Sequence, residues 1–210
     1  MGGILQLANE FEEVNNIQEI KDRLKEVGKY AVEVGVLINT SSKGIEFLQM
    51  IATANEFGAD IRPKNATWLT IPTKLGLGHK ASDFTGLFKP KGKNVLAKSN
   101  GNGGLDIYFI LSKHVRIPER SFLRDGFDNN AYKISDLLDN YLQRVFNLEL
   151  SPYDMYERIG IEIAKYIREE IRLKMTPPNA AITIANKGSD KPLIDTGELL
   201  NSISYRVIET

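Results

Sequence analysis

The sequence predicts an α+β fold: a small, mostly antiparallel sheet with helices packed on one face, a long helical hairpin and a long basic loop. Three observations lead there. Apolar and polar residues alternate in 30–38, 105–111 and 203–207, the period of half-buried strands. Apolar residues in 134–145 and 155–171 instead recur at helical spacing. Between Thr73 and Asn100 glycine and lysine break any regular period. The elements run helix, strand, helix, two or three strands, two long helices, strand, and are read as a single domain over residues 1–210 with an extended loop at 73–100.

The first fifteen residues mix Ile4, Leu5, Leu7, Phe11 and Val14 with acids, and read either as an arm that packs on a neighbour or as an adjunct to the first helix. Asn16 with Glu19 gives a capping signature, and Ile17, Ile20, Leu24 and Val27 follow at helical spacing, with Gly28 suited to C′. Val32, Val34, Val36 and Ile38 then place β-branched side chains on one face of a strand. Ser41 or Ser42 is expected to open a second helix whose stripe is Phe47, Met50, Ala54 and Phe57, closed by Gly58. Glu56 falls in its last turn, where the helix dipole disfavours a carboxylate. Either it is solvated, or it meets a cation such as Arg62 or Arg120, or it faces another subunit. Trp68–Ile71 reads as a second strand.

The segment 73–100 contains Lys74, Lys80, Lys89, Lys91, Lys93 and Lys98 against Asp83 alone, five net positive charges in a chain of formal net charge zero. A loop of this length in a compact domain is usually functional or disordered. Its apolar residues, Leu75, Leu77, Phe84, Leu87 and Phe88, are too few to bury a core of their own. The segment is expected to be mobile in an isolated subunit. On assembly Phe84, Leu87 and Phe88 would pack on a neighbour, with the lysines facing acidic protein surface, the preferred option, or passing DNA. Gly101–Gly104 makes a turn, and Leu105, Ile107, Phe109 and Leu111 alternate with Asp106 and Tyr108 in a further strand.

After Pro118 the chain reads as helical, with Ser121 as cap and Ile134, Leu137, Tyr141 and Val145 as the stripe. Ser151-Pro152 restarts a helix with a cap and a proline at its first position. Met155, Ile159, Ile163, Tyr166, Ile167 and Ile171 are its apolar face, and the short connection predicts an antiparallel hairpin. Pro177 and Pro178 stop it, and a linker is expected to follow. Asp195 then caps one helical turn, with Glu198 as the return half of a capping box. Ile203, Tyr205 and Val207 share one face of a final strand that must join a sheet begun elsewhere.

Chemistry is sparse. There is no cysteine, so disulfides and thiolate catalysis are excluded. His79 and His114 are the only histidines, and neither has a second ligand at metal spacing. Gly76-Leu77-Gly78-His79-Lys80 lacks the Gly-Lys-Ser/Thr ending of a phosphate loop, and no serine stands in a Gly-x-Ser-x-Gly elbow. The sequence therefore predicts no catalytic, cofactor or metal site. A hydrophobic share of 42% and a charged share of 26% are ordinary for a globular protein, and no apolar run is long enough to span a membrane.

Three stretches in order carry a resemblance: Ala52-Thr53-Ala54-Asn55-Glu56-Phe57-Gly58, Ile117-Pro118-Glu119-Arg120-Ser121-Phe122-Leu123-Arg124, and Leu193-Ile194-Asp195-Thr196-Gly197-Glu198-Leu199. Together they resemble the neck and tail-completion proteins of tailed bacteriophages, over about Val32 to Val207. The long 73–100 segment exceeds what compact members of that family carry. Glu119-Arg120-Ser121 also departs from its commoner pattern of a second arginine and a proline. The resemblance implies a non-enzymatic virion protein of the head–tail junction, a neck or tail-completion protein forming a ring, a hexamer, of its own copies. That ring would join a head-closure or connector protein to the tail tube or its terminator, with DNA only transiently in the channel and no membrane partner. Its interface candidates are Glu56, Phe57, Gly58, Pro118, Arg120, Phe122, Asp195, Thr196, Gly197 and Leu199. Two readings from other classes stay open, a tail assembly chaperone and a phage nucleic-acid-processing enzyme.

Overall fold

The structure is a computed structural model that describes residues 16–174 and 176–210. The apolar and acidic stretch before Asn16 lies outside the described residues. The fold is α+β, and its sheets are all antiparallel. Among the described residues, pairing divides the strands into three small sheets, where alternation alone pointed to one. Period two identifies a strand but not its partner, so this division is invisible before folding. The chain gathers into two compact units. The first takes the described residues up to Gln49, then Phe122–Leu173 and Glu198–Thr210; the second takes Met50–Ser121 and Lys174–Gly197.

In the first unit, helix α1 covers 16–27 and leads into β1 (Tyr30–Val36). Gly28 is not left-handed; the turn instead closes by a bond from the Lys29 N–H to the Glu26 carbonyl. β1 pairs along its whole length with β7 (Ile203–Glu209), Tyr30 opposite Glu209 and Val36 opposite Ile203. The last strand thus joins a sheet begun at the other end of the chain, as its alternation requires. Ile38, placed on the strand by its spacing, lies beyond it and is exposed.

Helix α5 (Pro152–Leu173) packs on both strands. The Ser151 hydroxyl accepts the Asp154 N–H at 3.1 Å and donates to the Asp154 carboxylate at 2.7 Å, a complete N-terminal cap. Its predicted apolar face is buried in full, from Met155 through Ile171. Gly160 sits where a Cβ would come 2.5 Å from the Tyr205 ring and 2.8 Å from Val32, so the absence of a side chain sets the distance between helix and sheet. Tyr205 Oη donates to Glu157 at 3.1 Å, and Arg168 Nη2 donates to the Ile203 carbonyl at 2.8 Å. Helices α3 (Phe122–Asp128) and α4 (Ala131–Phe146) contact α5, α4 through the half-buried Ile134, Leu137 and Tyr141 and the buried Val145. The stretch after Pro118 is therefore two helices, broken at Asn129–Asn130.

Helix α2 (Ile45–Glu56) begins later than Ser41 or Ser42 predicted, because Ser41–Gly44 forms a closed turn. Its buried residues are Leu48, Ala52 and Glu56 at four-residue spacing, while Met50 and Phe57 are 59% and 64% exposed. The expected stripe of Phe47, Met50, Ala54 and Phe57 is therefore not the buried one, since the helix turns the Leu48, Ala52 and Glu56 face inward.

In the second unit, β2 (Ala59–Ile61) pairs with β6 (Val115–Ile117), and β3 (Leu69–Pro72), β5 (Leu105–Ser112) and β4 (Val95–Ser99) form the order β3-β5-β4. The Asn100–Gly104 turn between β4 and β5 is held by Asn100 Oδ1, which accepts the N–H groups of Asn102 and Gly104. The stretch expected to be a linker contains helix α6 (Ala181–Lys187), ended by Gly188 at φ 74°. Helix α7 (Glu198–Ser202) precedes β7, in the first unit.

Candidate functional site

Two of the three family-like stretches meet where α2 ends. The last carbonyls of a helix lack intrahelical partners. Here the backbone N–H of Arg120 fills one, donating to the Asn55 carbonyl at 2.6 Å. Gly58 takes φ +70° to turn the chain out of α2, and a Cβ there would lie 3.1 Å from both Glu119 N and the Ile117 carbonyl. Ala59 then pairs with Ile117. Asn-Glu-Phe-Gly and Ile-Pro-x-Arg are therefore two sides of one close approach.

Arg120 is 6% exposed, and its side chain extends this junction. Nε donates to the Pro177 carbonyl at 2.7 Å, Nη2 to the Pro178 carbonyl at 2.9 Å, and Nη1 reaches Asn55 Oδ1 at 3.4 Å. The planar fork thus binds the turn after α5 to the end of α2, a task a lysine ammonium cannot copy. Burial lowers the guanidinium's pKa from its usual value. The arginine predicted to engage the Glu56 region does so through Asn55, the residue beside it. Glu56 itself is 2% exposed, so it is not a solvated glutamate. Arg62, the other candidate cation, is paired with Asp60 at 3.3 Å.

The third stretch reaches the same neighbourhood through Lys187. Its pKa is lowered by burial first and by the nearby Arg120, against the opposing pull of Asp195 and Asp190. Asp195 is exposed and three residues short of α7, so it is not the helix cap. Gly197 takes φ +85° immediately before Glu198, which moves the helix start past the predicted position. Thr196 is also exposed. Pro118 is half-buried between β6 and Arg120, whereas Phe122 and Leu199 are core residues of the first unit, at 0% and 6% exposure.

Beside the junction lies a cleft of about 390 Å³ lined by Phe57, Gly58, Ala59, Asp60, Arg116, Ile117 and Glu119. It has one large exposed apolar side chain, Phe57, and charges of both signs at its wall.

The basic segment is folded into the three-stranded sheet. Phe84 packs edge-on to Tyr108 and Phe109, with ring centroids 4.9 and 5.9 Å apart, so it is not held in reserve for a neighbour. Phe88 bridges Ala97, remains 44% exposed, and is the aromatic of the pair still available to a partner. Lys98 lies over the Phe84 and Tyr108 rings, and Lys89 over Trp68. Lys74, Lys80, Lys91 and Lys93 are exposed. His79 stands edge-on to Phe84 and 3.9 Å from Asp83. Among the described residues, no group of three or more His, Asp or Glu side chains is placed to hold a metal ion, and no helix is long and apolar enough to cross a membrane.

Several members of this arrangement carried no sequence signal. The carbonyls of Pro177 and Pro178 are backbone atoms, Lys187 sits in a helix that was not anticipated, and Lys113 meets Trp68 only through the β3–β5 pairing. No family model, curated protein or solved structure matches this chain.

Proposed function

We propose that the protein is a non-enzymatic structural component of a tailed-bacteriophage head–tail junction, a neck or tail-completion protein acting as a ring of its own copies. The observation that supports this reading is the junction at Arg120: two of the family-like stretches are in direct contact there, and Asp195 of the third acts on Lys187, which also lies near Arg120. Arg120 spends its fork on backbone carbonyls, which is the work of a joint and not of a reaction centre. The adjacent cleft and Phe57 offer a surface of the kind that a heterologous ring contact requires, where each subunit presents one patch to a different patch of the next. In this role the protein joins the connector side of the head to the tail tube and leaves a channel for DNA.

Mass spectrometry of density-purified particles tests the proposal. A structural role requires the protein in finished virions at a small, fixed copy number. Its presence in infected cells but absence from finished particles would make it an assembly factor instead.

A further inference from the structure

Eight lysines (64, 74, 80, 89, 91, 93, 98 and 113) and no arginine lie between Pro63 and Val115, against two aspartates, Asp83 and Asp106. The three-stranded sheet and its loops therefore hold six net positive charges in a chain whose net charge is zero. Among the described residues none of the eight is in an ion pair. The fold even brings like charges together. Lys89 from the β3–β4 connection and Lys113 from the end of β5 converge on the Trp68 ring, at 5.9 and 5.6 Å from its centroid. Lys98 lies 5.6 and 5.4 Å from the Phe84 and Tyr108 centroids. An aromatic face partly offsets an ammonium charge but leaves its donors directed outward.

We propose that this lysine–aromatic surface, centred on Lys89, Trp68 and Lys113, binds the phosphate backbone of DNA without sequence preference. Protein interfaces are depleted in lysine and enriched in arginine and buried aromatic anchors. This surface is the reverse, rich in lysine, free of arginine, and with Phe84 already used inside the chain. Lysine ammoniums neutralising phosphates without base readout give weak, strongly salt-dependent attachment. Such contacts break and re-form as DNA moves past them. The inference goes beyond the head–tail reading: DNA binding by a protein absent from virions would preserve this proposal and overturn that one.

The test is fluorescence anisotropy of a labelled mixed-sequence DNA duplex with the full-length protein over a series of salt concentrations. Binding is expected at low salt, with a log–log salt slope of about −2 to −4, since each neutralised phosphate contributes about −0.9. Lys89→Glu/Lys113→Glu is expected to weaken binding about tenfold or more, while Lys21→Glu/Lys133→Glu, an equal charge change in the first unit, leaves it within about twofold. If the first pair does not fold, as judged by circular dichroism, Lys89→Gln/Lys113→Gln should show a smaller loss in the same direction. No binding at low salt, equal losses from both pairs, or tighter binding to labelled poly-glutamate than to DNA would each overturn the proposal, the last in favour of an acidic protein partner.

Discussion

The backbone N–H of Arg120 donates to the carbonyl oxygen of Asn55 at 2.6 Å, closing the end of α2 with a residue sixty-five positions later in the chain. Its guanidinium continues to the carbonyls of Pro177 and Pro178. One arginine therefore ties three separate segments of the second unit, two of which hold family-like stretches.

Replacing Arg120 should for that reason destabilise the second unit far more than a surface change. Arg120→Ala leaves the Pro177 and Pro178 carbonyls unpaired, and a loss of about 3 kcal/mol is expected from buried acceptors left without donors. Arg120→Lys should recover only a minor part, since a single ammonium cannot reproduce the fork. Denaturant melts of the two variants check this. Matching midpoints for Arg120→Lys and the parent would mean that the fork contributes nothing.

Glu56 and Arg120 are both buried at the same end of α2, and a double-mutant cycle should find them coupled. Glu56→Gln combined with Arg120→Met should deviate from additivity by clearly more than the few tenths of a kcal/mol typical of exposed pairs. Additive effects would mean that the two charges are held independently.

At Gly197, φ +85° is a left-handed conformation that a Cβ disfavours. Gly197→Ala should cost about 1–2 kcal/mol through this strain alone. Asp195→Ala, at an exposed position outside the helix cap, should stay within about 0.5 kcal/mol of the parent. A larger effect at Asp195 than at Gly197 in thermal melts would reverse this assignment.

Between α5 and the β1–β7 sheet, Gly160→Ala should cost about 2–3 kcal/mol, because the new methyl meets the Tyr205 ring and Val32 inside van der Waals distance. The Tyr205 hydroxyl supplies a pH signature for the same contact. Burial first, then the bond to Glu157, raises its pKa above the usual tyrosine value. A group with a raised folded pKa contributes stability that is present below its unfolded pKa and lost as pH rises through the folded one. Stability should therefore fall above about pH 10, and Tyr205→Phe should flatten part of that fall. An unchanged alkaline slope in Tyr205→Phe would exclude the contribution.

Within the basic segment, exchange should be uneven. The amides of Phe88 and Ala97 bond to each other's carbonyls, and β4 pairs with β5, so these are expected to be protected in the isolated protein. The exposed stretches around Lys74 and Lys91–Lys93 should exchange quickly. Uniformly fast exchange from Lys74 to Lys98 in hydrogen-exchange mass spectrometry would contradict the packing of Phe84 and the strand pairing together.

Legibility in the sequence tracked how local each feature is. The α5 stripe and β7 were readable because one helical face and one strand face are written in periodic order, and Ser151-Pro152 announces its own helix start. The buried face of α2 was misread because Phe47, Met50 and Phe57 are more apolar than Leu48, Ala52 and Glu56 taken together. Nothing in the periodicity shows that a glutamate is turned inward. Helix α6 was hidden by its brevity, seven residues between a proline pair and Gly188. At the candidate site, Gly58 and Arg120 stood out as motif residues, but the atoms Arg120 binds are backbone carbonyls common to every sequence. The Trp68–Lys89–Lys113 cluster depends on strand register, which composition does not record.

The measurement that tests the proposed head–tail role most directly is a cryo-electron reconstruction of the neck of a tailed-phage particle assembled in the presence of this chain. The account predicts a ring of copies of this chain between the connector and the tail tube, with the cleft beside Phe57 and Gly58 at a subunit or partner contact and the Arg120 junction intact within each copy. A neck fully built from other proteins, with no density that fits this chain, would contradict it.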